Sequence, residues 1–329
     1  MTKYICKRIL YIAIVFTVIG FLMFYLYNMI PGDPARAELE PRRQELIKKG
    51  TYEQEYQAVR QRLGLDKPVT VRFWKWFGGL VTGNFGESTF YRQPIIDVVK
   101  GPMQTTIFIN IFSTILALAI TIPLGIHCAV KRGSKLDNGV QVASIIGYSI
   151  PIYIIALVMI YLFCVLIQIF PVSGIKTPGS DYTGLRAFVD KLYYITLPLI
   201  VMTISSLGGM TRYVRAAMIE ALSMDYVRTA RAKGLREKVV IYSHAWRNAL
   251  LPVITLVIGW FLGIFSGSVI IENTFGLNGM GSLYYIGLNN QDYALVLAMQ
   301  MFYTIVSLVG ILITDLSYGL VDPRIRVDK

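Results

Sequence analysis

Six apolar stretches constrain the possible folds of this chain more than any other feature of its sequence. They cover residues 9–30, 103–130, 139–170, 192–211, 249–271 and 294–314. A helix of about 20 residues crosses a hydrocarbon core of about 30 Å, so each stretch is long enough to span a membrane. Because 54% of the residues are hydrophobic and only 16% are charged, a soluble enzyme is excluded. The sequence predicts an all-α integral membrane protein with six transmembrane helices.

Two of these stretches have alternative interpretations. The first follows Lys3, Lys7 and Arg8, as in a signal peptide, but it is longer than the usual apolar region of about 7–15 residues and lacks a small-residue cleavage site. We interpret it as a retained first span. The third is long enough to contain a short hairpin, yet we interpret it as one tilted helix that is kinked at Pro151.

The positions of the basic residues predict how the chain is oriented. On one predicted side, Lys and Arg occur before the first span, in residues 131–135, in residues 212–247 and in residues 324–329. Short cytoplasmic loops are enriched in these residues, so both termini and the loop 212–248 are predicted to be cytoplasmic. Topology therefore explains the net charge of +12, and we predict membrane lipid but no nucleic acid as a partner.

The spans divide the chain into four parts. Residues 1–30 contain the amino terminus and the first span, and residues 31–102 form an extracytoplasmic domain. Residues 103–320 form the transmembrane core, which includes the loop 212–248, and residues 321–329 form a cytoplasmic tail. The external domain is predicted to be helical over residues 38–63 and irregular around Trp74, Trp76 and Phe77.

The sequence lacks the residue patterns of a membrane enzyme. His127 and His244 are its only histidines, and neither has a Cys, Asp or Glu at metal-ligand spacing. The cysteines, which are Cys6, Cys128 and Cys164, show no paired spacing. No catalytic residue, metal site or disulfide framework is therefore predicted.

The sequence also lacks a visible source of energy for transport. It contains no Gly-x-x-x-x-Gly-Lys-Ser/Thr loop, so the chain has no P-loop with which to bind ATP. The centres of the six spans are free of charge, which disfavours an ion-coupled secondary carrier. Glu272 and Asp315 lie near span ends, so that alternative stays open.

The loop 212–248 is several times longer than a simple helix connection of about 2–8 residues. It is rich in Ala and Arg, which predicts short amphipathic helices at the membrane surface. This shape is suited to docking a soluble partner.

Residues 225–235 of this loop are DYVRTARAKGL, and Leu251-Pro252 follow downstream. This segment resembles the conserved loop of binding-protein-dependent ABC importer permeases, and in particular the first-permease (B-type) subunits of the dipeptide and oligopeptide branch. Further segments of the resemblance are PGDP at 31–34, LGLD at 63–66, GNFG at 83–86, PVSG at 171–174, ENTFG at 272–276 and DPR at 322–324. The wider importer pattern begins Glu-Ala-Ala where this chain has Arg228-Thr229-Ala230, as in the peptide branch, so no role of the family's Glu is transferred to Arg228.

The resemblance implies a type I ABC importer permease fold and uptake of di- or oligopeptides. Its implied partners are a second homologous permease in a heterodimer, two cytoplasmic ABC ATPase subunits and an extracellular peptide-binding protein. ATP and Mg²⁺ would be used by the ATPase subunits, and no cofactor would be bound by this chain. Similar permeases also carry nickel chelates, glutathione or oligosaccharides, so these substrates remain alternatives.

The resemblance also implies which residues couple the chain to its ATPases. The candidates are Asp225, Ala230, Gly234 and Leu235. We expect Ala230 to leave room for close approach by the partner and Gly234 to permit a turn with positive φ. The structural alternative is an ordinary helix end at Gly234.

Three glycines in the fifth span are candidates for helix packing. Gly259, Gly263 and Gly267 recur at four-residue spacing, which lets helices approach closely in lipid. No residue is predicted to contact the substrate.

Overall fold

The computed structural model describes residues 2–30 and 32–321, and this part of the chain is mostly helical. Its β-structure is limited to an isolated antiparallel bridge between Glu87 and Pro94. Four helices are long and apolar enough to cross a membrane, and there are six spans if two sharply bent helix pairs each count as one. The prediction of an all-α membrane protein is confirmed. Pro31 and residues 322–329, which hold the DPR segment and nearly all of the predicted tail, lie outside the described residues.

The chain divides into two compact units. The first comprises the residues up to Met103 together with Ser282–Val309. Its helices are α1 (Thr2–Met29), α2 (Pro34–Leu39), α3 (Arg43–Lys48), α4 (Tyr52–Arg62), α5 (Val69–Val81), most of α14 (Met280–Asn289) and the first part of α15 (Tyr293–Val321). Phe24 of α1 and Phe73 of α5 pack with ring centroids 5.8 Å apart, and Leu297 of α15 completes this cluster.

Residues 34–81 of the first unit are more regular than the sequence suggested. The predicted helix over residues 38–63 is interrupted at Gly50, which has a φ of 67° and separates α3 from α4. The prediction of an irregular segment around Trp74, Trp76 and Phe77 is wrong, because these residues lie within α5. Apolar residues recur there at helical spacing, and they bury Phe73 to 1% exposure.

The second unit comprises Gln104–Gly281 and the chain from Gly310. Its helices are most of α6 (Ile95–Val130), α7 (Lys135–Ser149), α8 (Ile152–Ile160), α9 (Gly184–Ser223), α10 (Asp225–Ala232), α11 (Glu237–Val239), α12 (Arg247–Gly263) and α13 (Val269–Thr274). Two π-helical segments, Tyr161–Leu166 and Val240–Trp246, continue α8 and α11.

The third predicted span is sharply broken, and is not one tilted helix. α7 and the helix that follows it bend by 97° where Ile150 is extended, with a ψ of 124°. Proline has no N–H and disfavours helical backbone at the preceding residue, so Pro151 ends one helix and begins the next.

The fourth and fifth spans also differ from their predicted limits. α9 contains 40 residues and is therefore about 60 Å long, so residues 212–223 of the predicted loop belong to this helix. The fifth span ends at Gly263, not at residue 271. Asn110 of α6 donates its side-chain N–H groups to the carbonyls of Gly263, Ile264 and Ser266, at 3.4, 3.0 and 2.9 Å. Carbonyl groups at a helix end need such partners.

Candidate functional site

The segment that carries the loop motif forms the short helix α10. α9 ends at Ser223, Met224 is extended with a ψ of 150°, and α10 begins at Asp225. The acidic side chain of Asp225 therefore lies at the positive end of the helix dipole. A helix of eight residues is unstable alone in water, so α10 depends on packing against its neighbours.

Two side chains one turn apart attach α10 to the second unit. Val227 is fully buried and Ala230 is 4% exposed. They share a core cluster with residues of α6, α9, the second π-helical segment and α12, namely Ile126, Ala129, Met210, Val214, Met218, Ala221, Val240, Ala245, Ala249 and Val253. Because such interiors are close-packed, a displacement of α10 must move the spans that it contacts.

α10 ends in a Schellman motif centred on Gly234. The N–H of Gly234 donates to the carbonyl of Arg231 at 2.9 Å, and the N–H of Leu235 donates to the carbonyl of Ala230 at 3.4 Å. This geometry requires a positive φ, and Gly234 has a φ of 74°. A Cβ added at Gly234 would meet no described atom within 4 Å, so the turn borders open space.

The exposed surface of α10 and of the residues that follow it is predominantly basic. Residues 224–239 contain five basic and two acidic side chains. Arg231 donates two hydrogen bonds to Glu237, at 2.7 and 3.2 Å, which joins α10 to α11 and raises the pKa of the Arg231 guanidinium above its ordinary value. The ion pair between Arg228 and Asp225 spans 3.5 Å and is almost fully exposed, so it contributes little to stability.

The four candidate residues lie together, but they do not share one surface. Asp225, Gly234 and Leu235 are exposed at the two ends of α10. The expectation that Ala230 gives room to a partner is wrong, because its methyl group is buried within its own chain. Its small side chain instead allows α10 to approach the second π-helical segment.

An ion pair that the sequence analysis did not identify joins α7 to α9 beside this cluster. Arg215 donates to both carboxylate oxygens of Asp137, at 2.6 and 2.7 Å. The carboxylate of Asp137 is fully buried and also accepts the N–H of Gly133 at 2.9 Å. Ser134 caps the start of α7 by accepting the N–H of Asp137. The pair fixes the basic end of α7 against α9, the helix that leads to α10.

The three glycines predicted to form one packing face do not do so. Gly259 and Gly263 lie on α12 with no described atom within 4 Å of an added Cβ. Gly267 lies beyond the end of α12, where an added Cβ would be 2.0 Å from the backbone nitrogen of Gly281. The fifth span is shorter than predicted, so the third glycine leaves the helical register.

Two other glycines make close helix contacts within the second unit. A Cβ at Gly208 of α9 would lie 2.6 Å from the carbonyl oxygen of Ser144 of α7. A Cβ at Gly125 of α6 would lie 2.8 Å from the side chain of Val214 of α9. Gly208 belongs to no four-residue repeat, whereas Gly125 lies in a series of small residues at four-residue spacing, Ala117, Thr121, Gly125 and Ala129, which could have selected it.

Two of the segments that carry the resemblance meet in the second unit. The N–H of Gly174 donates to the carbonyl of Phe275 at 3.0 Å, which joins the PVSG and ENTFG segments. Glu272 is 4% exposed and accepts the Thr106 hydroxyl proton at 2.8 Å. These contacts hold α13 and the turn that follows it.

Within the described part of the chain, no group of three or more His, Cys, Asp or Glu side chains is placed to hold a metal ion. Leu251, which follows the loop motif in the sequence, has a side chain outside the described residues.

Comparison with known proteins places the chain in a family. The family described as "Binding-protein-dependent transport system inner membrane component" matches residues 121–327. The corresponding N-terminal family of transport-system membrane components matches residues 1–98.

Individual relatives match along the whole chain. The oligopeptide transport system permease protein AppB of Bacillus subtilis (strain 168) is 35% identical over 330 residues, which cover 99% of this chain and 100% of the relative. The dipeptide transport system permease protein DppB of Lactococcus lactis subsp. cremoris (strain MG1363) is 30% identical over 329 residues, with the same two coverages. The di/tripeptide transport system permease protein DppB of Pseudomonas aeruginosa (strain UCBPP-PA14) is 35% identical over 344 residues, which cover 99% of each chain. The chain therefore belongs to the family of inner-membrane permease components of binding-protein-dependent transport systems.

Proposed function

We propose that this chain is a permease subunit of an ATP-driven importer that takes up di- or oligopeptides. The observation that carries this proposal is α10, which presents an exposed basic face and is anchored by Val227 and Ala230 to the cluster that contains α9 and α12. The chain has no P-loop of its own, so in this proposal the ATP is hydrolysed by other subunits. The names of the full-length relatives support peptide as the substrate class.

The proposed mechanism is alternating access driven through α10. Two cytoplasmic ATPase subunits bind ATP with Mg²⁺ and close, and their motion displaces α10. Because α10 is packed against the fourth and fifth spans, its displacement reorients them and converts an inward-facing cavity into an outward-facing one. An extracellular binding protein then releases peptide into the cavity. This chain binds no cofactor in the scheme.

The transporter would contain a second, homologous permease, which makes the pair a heterodimer with this chain as its first (B-type) subunit. Gly259 and Gly263 offer one packing face for that partner, because both border open space on α12. The chain would lie in the bacterial inner membrane with both termini and residues 224–236 in the cytoplasm, as the basic loops favour. Residues 31–102 would then be external.

The experiment that tests this function is co-purification from native membranes, followed by ATPase and uptake assays. We expect a second permease and two ATPase subunits to be recovered, and ATP hydrolysis to rise when a binding protein loaded with peptide is added. The ligand of that binding protein would distinguish peptide from nickel chelate, glutathione or oligosaccharide. Purification of the chain alone, with solute movement driven by an ion gradient, would replace the proposal by a secondary carrier.

A further inference from the structure

A cavity of about 640 Å³ lies within the first unit, on the external side of α1. Its walls come from the end of α1, from α4 and α5, and from the start of α15. The PGDP, LGLD and GNFG segments each contribute to its lining, through Asp33, Gly64 and Asn84. Its volume is typical of a ligand-binding pocket.

The cavity carries a strong excess of positive charge. Four basic residues line it, namely Arg60, Lys67, Arg72 and Lys75, and Asp33 is its one acidic lining residue. The Asp33 carboxylate already accepts hydrogen bonds from the Tyr56 hydroxyl and from the N–H of Ala35. Within the described chain, none of the four basic side chains forms an ion pair with a carboxylate. Arg60 interacts electrostatically with the Asp33 carboxylate, so Lys67, Arg72 and Lys75 are the cations left without a carboxylate partner.

Arg72 shows this lack of compensation most clearly. Its Nε is shielded from solvent and has no hydrogen-bond partner within the described chain. Burial also lowers the pKa of the Arg72 guanidinium from its ordinary value. A buried donor without an acceptor is costly, and an anion in the cavity would reduce the cost of holding this cation there.

The position of the cavity in the membrane identifies the class of anion. The candidate span of α1 ends at Met29 and that of α15 begins at Tyr293. The cavity meets α1 at Tyr27 and α15 at Tyr293, and Trp76 of α5 also lines it. Amphipathic aromatic residues of this kind lie at the depth of lipid head groups.

The apolar surface beside the cavity favours a lipid over a small soluble anion. Ile30, just after α1, and Val71 of α5 both line the cavity and are 41% and 50% exposed. We infer that the cavity binds the phosphodiester head group of an anionic phospholipid from the outer leaflet, with Arg72 and Lys75 as its main contacts. The acyl chains would extend from the cavity past these apolar side chains.

The test uses the full-length chain, purified in detergent and freed of native lipid. Dihexanoyl phosphatidylglycerol is the probe, dihexanoyl phosphatidylcholine and inorganic phosphate are the comparisons, and the readout is tryptophan fluorescence, because Trp76 lines the cavity. We expect saturable binding of phosphatidylglycerol that weakens about tenfold or more in Arg72→Gln/Lys75→Gln, since charge-assisted hydrogen bonds are lost. Arg42→Gln/Arg43→Gln is the matched control, because it removes two external charges that do not line the cavity.

Four results would overturn the inference, and three of them concern the lipids and the variants. They are the absence of saturable phosphatidylglycerol binding, equal binding of phosphatidylcholine, and an equal loss in the control variant. Inorganic phosphate that binds as tightly as phosphatidylglycerol would show a site for a free anion and not for a lipid. If the double variant does not fold, the single variant Lys75→Glu at an exposed position makes the same comparison.

Discussion

Replacement of Gly234 by valine is the sharpest perturbation of the proposed coupling helix. Gly234 has a φ of 74°, and a β-branched residue held in that region costs about 1–3 kcal/mol. A steric clash adds nothing, since no described atom lies within 4 Å of the added Cβ. A cost of about 2 kcal/mol lowers the ratio of ordered to disordered helix end roughly 30-fold. We therefore expect Gly234→Val to abolish transport while membrane insertion stays intact.

The assay is peptide uptake normalised to the amount of protein in the membrane. Gly50→Val is the matched control, because Gly50 also follows a helix, has a φ of 67° and has no described atom within 4 Å of an added Cβ. It carries the same backbone strain outside α10, so we expect near-normal uptake. Gly234→Asn should retain part of the activity, since asparagine tolerates the left-handed region. Normal uptake by Gly234→Val, or an equal loss in Gly50→Val, would refute the coupling role.

Three further predictions concern the contacts that hold α10 in place and the contacts around Asp33. Gly208→Val should destabilise the contact between α7 and α9 by about 1–3 kcal/mol, while Gly209→Val, which has open space around its added Cβ, should leave the thermal midpoint nearly unchanged. Arg215→Gln leaves a buried carboxylate unpaired and should cost about 3 kcal/mol or more, measured as a fall in thermal midpoint; an unchanged midpoint would exclude this contribution. Burial opposes ionisation of Asp33, but the hydrogen bonds to its carboxylate lower its pKa below the ordinary value. The ionised carboxylate therefore stabilises the fold above the ordinary carboxyl pKa, and this stabilisation is lost as the pH falls through the lowered pKa. In an acid titration followed by tryptophan fluorescence, Tyr56→Phe should lose less stability than the unaltered chain, and identical acid transitions would contradict this.

The sequence predicts the parts of the fold that depend on local composition. The six apolar stretches correspond to the four long helices and two bent pairs, because span length follows directly from bilayer thickness. The turn at Gly234 is also predictable, since few residues other than glycine adopt a φ of 74° at a helix end.

Features that depend on contacts between distant residues are not visible in the sequence. Asp137 and Arg215 are 78 residues apart and form a pair only because α7 packs against α9. A glycine is required at position 208 because this position lies close to the backbone of α7. No spacing rule in the sequence predicts that contact. The sequence predicts a kink at Pro151, whereas the structure has a 97° bend there. Whether a proline kinks a span or divides it depends on the neighbouring structure, which the local sequence does not contain.

The measurement that tests the central claim most directly is site-specific cross-linking from α10 to the ATPase in the purified complex. Thr229 lies on the exposed face of α10, and Asn138 is an equally exposed residue near the start of α7. With Cys6 replaced, the other native cysteines are buried, so a single cysteine can be introduced at either position. The account predicts that Thr229→Cys forms a cross-link to the ATPase whose yield changes with ATP, and that Asn138→Cys does not. An ATP-dependent cross-link from residue 138, with none from residue 229, would contradict coupling through α10.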